Sequence, residues 1–347
     1  MDQLIKKNII VTGGAGFIGT HLCERLLKEG HKVICVDNFI SSSEMNINHL
    51  LKNQNFAFIR HDMNNSLNLD EVPELKKFQI PVYGIQEIYN LACPTSPKDF
   101  EKYKMETVLT NSLGTKNALD IAVKYKATFL HASSSVVYGA IPAERPSISE
   151  DFRGEFDFLS PRACYDEGKR FAETLVSNYQ ERYKMDAKII RIFRTYGPRM
   201  MLNEGHMIPD FITSAMDGKD LKIFGDESFS TSLIFISDIV EGMIKLMSSD
   251  ISEPINMGGM EDIKLVDVAD KIIQMTGSSS KVVFEKELLF MSRLGLPEIY
   301  KAKELLGWFP IVGIDDGLQR TIDYAKATKG LIKFEQFSDG EVEGEKA

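Results

Sequence analysis

Seven residues, Gly13-Gly14-Ala15-Gly16-Phe17-Ile18-Gly19, restrict this chain to few folds. They follow a short apolar run, Asn8-Ile9-Ile10-Val11-Thr12, which reads as a buried strand, and they open a helical pattern that reaches Gly30. His31 to Val36 reads as the next strand, and Asp37 ends it. Strand, glycine turn, helix, strand and acid form the order that a dinucleotide site requires. Gly13 and Gly16 let the backbone approach a pyrophosphate, and the helix start at Phe17 and Ile18 offers it amide donors. Gly19 allows the helix to pack closely on the strand. Asp37, with Asn38 beside it, can accept from both ribose hydroxyls, and its charge repels a 2′-phosphate. NAD is therefore expected rather than NADP. The alternative, a glycine-rich turn without a ligand, leaves the complete strand–helix–strand context unexplained.

The pattern continues as alternating strands and helices, which predicts an α/β fold with a doubly wound parallel sheet. Asn55 to Asp62 reads as a third strand whose terminal acid, next to Met63, can reach an adenine amino group. Residues 69–86, with Pro73 and Pro81, read as an extended surface insertion. Gln86 to Ala92 is a fourth strand that delivers Leu91 and Ala92 to the cofactor side. Residues 100–125 read as helical. Asn111 inside them is either a satisfied core amide or a support for a loop beside the nicotinamide. Ala127 to Ala132 is a fifth strand running into Ser133-Ser134-Ser135-Val136-Val137-Tyr138-Gly139. Ligands bind at the carboxyl ends of such strands, so the serine run is expected at the site rather than in a plain polar turn.

A helix beginning near Ser160 then carries Tyr165 and Lys169 four residues apart, on one face. The ammonium is expected to lower the tyrosine pKa toward neutrality. A tyrosine tuned in this way can take a proton from a hydroxyl that loses hydride. By itself the Tyr-x-x-x-Lys spacing is weak; the fingerprint gives it weight.

The chain has 347 residues and a formal net charge of −9. With no basic run to offset that charge, a nucleic-acid partner is not expected. No apolar run has the length of a membrane span. Cys23, Cys35, Cys93 and Cys164 have no metal-type spacing, so a reduced, cytoplasmic protein is expected, with no metal and with Cys164 structural. A cofactor domain is expected over residues 1–190 and 233–255, with Asp238 as a helix cap. A smaller C-terminal α/β substrate lobe is expected over 191–232 and 256–330, and an acidic, disordered tail over 331–347.

Four further stretches carry a resemblance. They are Leu91-Ala92-Cys93-Pro94-Thr95-Ser96-Pro97, Arg162 to Arg170, Thr195-Tyr196-Gly197-Pro198-Arg199-Met200, and Ala302 to Trp308. From the first strand to about Tyr324 the chain resembles the extended short-chain dehydrogenase/reductase superfamily of nucleotide-sugar enzymes, with the Rossmann fold. Within it, the chain looks most like UDP-glucuronate decarboxylases. The resemblance implies bound NAD, Tyr165 as base, Lys169 on the nicotinamide ribose and Ser134 on a substrate hydroxyl. It also implies a homodimer joined through helices near 100–125 and 165–183. Ser135, Arg194, Arg199 and Thr231 are the candidates for substrate binding.

The departures from that pattern are informative. Decarboxylases carry a glutamate where this chain has Val136, and an arginine where it has Gly295, although Arg293 is near. The Asp-Glu pair of dehydratases is replaced by Ser135 and Val136. Arg194 stands where relatives have asparagine, and Thr231 stands where they have a diphosphate-binding arginine. Arg194 is thus read as a replacement phosphate ligand or as a surface salt bridge. The loop at His206 also differs, so UDP is not implied. These features predict NAD-dependent oxidation of a nucleotide-activated sugar at carbon four, ending at the ketone, with a GDP-linked sugar such as a GDP-heptose fitting the altered loop. A 4-epimerase, a UDP-glucuronate decarboxylase and a non-catalytic NAD-binding regulator are the alternatives.

Overall fold

The computed structural model describes residues 6–142, 147–202, 204–286 and 295–342, without the side chains of 330–342. Seven parallel strands form the main sheet. They are β1 (Asn8–Thr12), β2 (Lys32–Asp37), β3 (Phe56–Arg60), β4 (Glu87–Asn90), β5 (Thr128–Ser134), β6 (Ala187–Ile192) and β7 (Ile255–Met257). Their order is β7-β6-β5-β4-β1-β2-β3. The doubly wound α/β expectation holds. β1 pairs with β2 on one side and with β4 on the other, so the winding reverses there and a crevice opens at the carboxyl ends of β1 and β4.

Every residue of β1 is buried, as a central parallel strand covered on both faces requires. The period-two alternation divides its side chains between two cores. Ile9 and Val11, with Val33 and Cys35 of β2, join the core beneath helices α1 (Phe17–Lys28) and α4 (Ile236–Met247). Ile10, with Ile34 and Val36, joins the core beneath helices α2 (Thr115–Tyr125) and α3 (Ala163–Tyr183). The remaining strands are short pairs, among them Ser147–Ile148 with Leu296–Pro297 and Ser230–Thr231 with Ile263–Lys264.

Four expectations need correction. The insertion at 69–86 is not extended: it folds into helical turns at Leu69–Glu71, Pro73–Phe78 and Ile80–Tyr83. Its prolines sit in first turns, where a missing N–H costs nothing, and Leu69, Leu75, Phe78 and Ile80 are buried in the core. Residues 100–125 are not one helix. Tyr103, with non-helical backbone angles, separates Pro97–Lys102 from Lys104–Leu109, and a π-helical turn at Thr110–Gly114 precedes α2. Asp238 lies inside the first turn of α4 and does not cap it; its carboxylate accepts from the amides of Ile311 and Val312, both at 3.1 Å. Finally, the last helix, Ile314–Val342, runs through most of the stretch read as a disordered tail. That stretch contains no proline to stop it.

Candidate active site

The glycine turn has the backbone that a pyrophosphate cradle needs. Gly13 is left-handed, with φ +67°, and a Cβ there would stand 2.8 Å from the backbone of Ala92. This close approach puts Leu91 and Ala92 of the β4 end against the fingerprint. A Cβ on Gly19 would lie 2.2 Å from the carbonyl oxygen of Gly13, so only glycine lets α1 begin where it does. At Gly16 the nearest atom is 3.2 Å away, and the turn is open on that side. No side chain caps α1 and no acid stands in its first turn. The amides of Phe17 and Ile18 thus lie at an uncapped helix start, as anion binding requires.

Asp37 ends β2 beside this turn. Its Oδ2 accepts from the Ala15 amide at 3.0 Å, while Oδ1 accepts from the Phe39 amide at 2.9 Å and the Ser42 hydroxyl at 2.8 Å. One lone pair on Oδ2 remains. Accepting from a second ribose hydroxyl requires Ser42 to swing away. Burial pushes the Asp37 carboxyl up, opposed by those amide and hydroxyl donors. The side chains of Asn38 and Asp62 accept from the amides of Ile40 and Asn64, which shapes the turns after β2 and β3. Met63 is buried beside Asp62, and its carbonyl accepts from Asn117. This set fits NAD: donors at the helix start for the pyrophosphate, and a carboxylate for the adenine ribose.

Tyr165 and Lys169 lie on the buried face of α3. The Lys169 Nζ is 5.7 Å from the centre of the Tyr165 ring and donates to the Ala132 carbonyl at 2.8 Å. The expected lowering of the tyrosine pKa is absent from the protein's own groups. Burial pushes the Tyr165 hydroxyl well above its ordinary value, with only a hydrogen bond to Ser134 and the charge of Arg162 pulling it down. The cause is an apolar cluster: Tyr165 packs with Phe100 and Val136, against Cys93 and Cys164. Burial also pushes the Lys169 ammonium down, countered by its neighbours Cys93 and Glu173. Bound oxidised nicotinamide supplies a hydride acceptor and a positive charge, and a positive charge favours the phenolate.

Asn111 resolves neither way alone. Its Nδ2 donates to the Thr107 carbonyl at 2.9 Å and to Cys93 Sγ at 3.1 Å, while its buried Oδ1 has no partner among the described residues. It sits in the π-helical turn, against Gly168 of α3. A Cβ at Gly168 would come within 2.9 Å of the Asn111 amide nitrogen. Gly168 therefore sets how closely α3 approaches this turn, a role the sequence reading did not assign. The reading also missed Phe100 and a buried chain beneath the site. In that chain Thr12 donates to Asn90, and Asn90 contacts His131 Nδ1 at 3.2 Å.

Ser134 closes β5, and Ser135 starts the tight turn Ser135–Tyr138. Among the substrate candidates, Arg194 and Thr231 fall in one neighbourhood. The Arg194 carbonyl accepts from the Ile234 amide, and its guanidinium lies 5.9 Å from the Phe229 ring. Thr231 is buried between them in sequence, its hydroxyl turned onto the Ser232 carbonyl. Arg194 forms no salt bridge with the described residues; its nearest polar contact is Met207 Sδ at 3.5 Å. The surface ion pair is therefore not what holds it. Burial and the neighbouring Arg162 push its pKa down to about 10, which leaves it cationic at neutral pH. Arg199 lies elsewhere, paired at 2.6 Å with Glu24 of α1. Gly295 faces Ile148, and Arg293 lies outside the described residues. Among the described residues no helix is long and apolar enough to cross a membrane.

Residues 9–258 match the NAD dependent epimerase/dehydratase family. UDP-glucuronic acid decarboxylase 1 of Xenopus tropicalis is 38% identical over 324 residues, covering 93% of this chain and 73% of the relative. UDP-glucuronic acid decarboxylase 4 of Arabidopsis thaliana is 37% identical, covering 89% of this chain and 66% of its own length. Among solved structures, UDP-glucuronic acid 4-epimerase from Bacillus cereus, in complex with UDP-glucuronic acid and NAD, superposes with a TM-score of 0.80 at 30% identity. That match covers 92% of this chain and 99% of the epimerase. The chain belongs to the NAD dependent epimerase/dehydratase family and is an NAD-dependent enzyme of the short-chain dehydrogenase/reductase type.

Proposed function

We propose that this nucleotide-sugar-modifying enzyme oxidises the sugar at carbon four and stops at the 4-keto product. NAD lies across Gly13, Gly16–Gly19 and Asp37, with Asp62 and Met63 toward the adenine and Lys169 toward the nicotinamide ribose. Ser134 hydrogen-bonds the reacting hydroxyl, and Tyr165 takes its proton as hydride leaves. Arg194 holds the diphosphate. The carrying observation is Val136, which is 7% exposed and packs with Tyr165 and Phe100. An apolar wall there provides no acid or base for a second chemical step after oxidation.

The match to a 4-epimerase supports a second reading, in which the ketone is reduced again from its other face by the same residues. Incubating the protein with NAD and a panel of UDP- and GDP-sugars separates the two. Net reduced cofactor, read by absorbance, supports the dehydrogenase; an epimer without net reduction supports the epimerase. No turnover of any sugar would sink both and favour a non-catalytic NAD-binding protein.

The proposal includes a homodimer. Met105, Val108, Leu109 and Leu113 on one segment, and Phe171 and Tyr183 on α3, are all at least 36% exposed. These side chains recur at helical spacing and leave an apolar face uncovered. Met105→Glu with Leu109→Glu should elute as a monomer if the wild type elutes as a dimer through this face.

A further inference from the structure

A polar network, buried at Tyr138 and Asn256 and partly buried at Glu173, runs behind the serine turn. The Ser133 hydroxyl donates to Glu173 Oε1 at 2.5 Å. Arg191 clamps the same carboxylate with two bonds, Nε to Oε1 at 3.0 Å and Nη2 to Oε2 at 2.7 Å. Its Nη1 donates to the Tyr138 hydroxyl at 3.0 Å and to the Glu150 carbonyl at 2.9 Å. The Tyr138 hydroxyl in turn donates to Asn256 Oδ1 at 2.5 Å. Asn256 donates through its amide to Glu150 Oε1 and through its side chain to the Ile148 carbonyl.

The placement of this network gives it a meaning beyond stability. Glu173 follows Lys169 by one helical turn, so both project from one face of α3. Lys169 bonds to the Ala132 carbonyl, and Glu173 bonds to Ser133. The catalytic helix is thus stitched to two consecutive residues of β5, immediately before Ser134. On the far side of Ser134, Tyr138 is anchored by Arg191 and Asn256. Ser134 therefore stands between two fixed points, and both are held by one guanidinium. A buried network whose members are mutually satisfied holds a single geometry.

We infer that Glu173 and Arg191 are positioning residues, which set Ser134 relative to Tyr165 and Lys169. This inference rests on the hydride transfer proposed above. Neither residue touches the reacting atoms. Displacement of a reacting group by about 1 Å can cost about 100-fold in rate, so the effect belongs in turnover and not in binding.

The decisive variant is Ser133→Ala, which cuts the link between the ion pair and the strand and leaves the pair itself intact. It should melt with the wild type and retain NAD. Its kcat should fall about 10-fold with KM unchanged, as expected when only the transition state loses an interaction. Amide hydrogen exchange over residues 132–138 should accelerate. Glu173→Gln, which also unpairs Arg191, should lose about 100-fold if it folds. A wild-type kcat in Ser133→Ala overturns the inference. Should the wild type turn over no sugar, the proposed function falls, and the exchange measurement still decides: unchanged exchange over 132–138 in Ser133→Ala overturns the positioning role.

Discussion

The ring of Phe100 stacks on the ring of Tyr165, with centroids 4.9 Å apart and planes 24° from parallel. Phe100 comes from the short helix Pro97–Lys102, which follows the end of β4. This contact, with Val136 on the same cluster, explains why the proposed base is held as a neutral phenol by the protein alone.

Tyr165→Phe should therefore keep cofactor and lose two to four orders of magnitude in hydride transfer, roughly the range for a positioned general base. It should also change the alkaline stability. The folded chain holds the Tyr165 proton more tightly than the unfolded chain, because its pKa is raised by burial. That contribution is complete below about pH 10, the ordinary tyrosine value, and is lost as pH rises above it. The phenylalanine variant should lose less stability than the wild type above that pH in thermal melts. Turnover near the wild-type rate would remove Tyr165 from the mechanism.

The fingerprint, its helix and Asp37 were legible because they are contiguous, and the chemistry follows from local spacing. That Tyr165 and Lys169 share one helix face was legible for the same reason. What Lys169 does with its ammonium was not, since its acceptor, Ala132, lies on another strand. Phe100 on Tyr165 and Arg191 on Glu173 are likewise tertiary contacts with no local pattern. The 69–86 segment was misread because Pro73 and Pro81 argue for irregular chain, whereas Leu69, Val72, Leu75 and Phe78 recur every three residues, the period of a 3-10 turn, and Asn8 ties the segment to the sheet through the carbonyls of Phe78 and Gly84.

Asp37 yields a prediction about cofactor choice. Its carboxylate is fixed by Ala15, Phe39 and Ser42, at the place proposed for the adenine ribose. A 2′-phosphate there would face a buried negative charge. Cofactor released by denaturing the purified protein should be NAD, and Asp37→Asn should narrow the preference for NAD over NADP in a binding titration. Recovery of NADP from the wild type would reverse this assignment.

Arg194 is predicted to act in binding rather than in turnover. A diphosphate is held alike in ground and transition states, so Arg194→Ala should raise KM more than it lowers kcat. Thr231→Arg in that background should restore part of the loss, because Arg194 contacts Phe229 and Ile234, the residues that flank Thr231 in the chain. An unchanged KM in Arg194→Ala would leave the guanidinium without a role in substrate binding.

The last prediction concerns the reaction named in the 38% identical relative from Xenopus tropicalis: this protein should not decarboxylate UDP-glucuronate. Losing carbon dioxide from a 4-keto acid requires the carboxylate to be placed and the developing enolate to be stabilised. Val136 is buried in the Tyr165 cluster and offers neither a proton nor a hydrogen bond. Gly295 has no side chain, and even a Cβ there would stand 3.0 Å from Ile148 Cγ1, so an arginine enters only if Ile148 shifts. Two positions would have to change together, and at one of them the Ile148 side chain would have to give way. Incubation with UDP-glucuronate and NAD should yield no UDP-xylose and none of its 4-keto precursor. Either product at about one turnover per second or faster, an ordinary enzymatic rate, would show that other groups supply the missing acid and cation. It would return the chain to the decarboxylase reading.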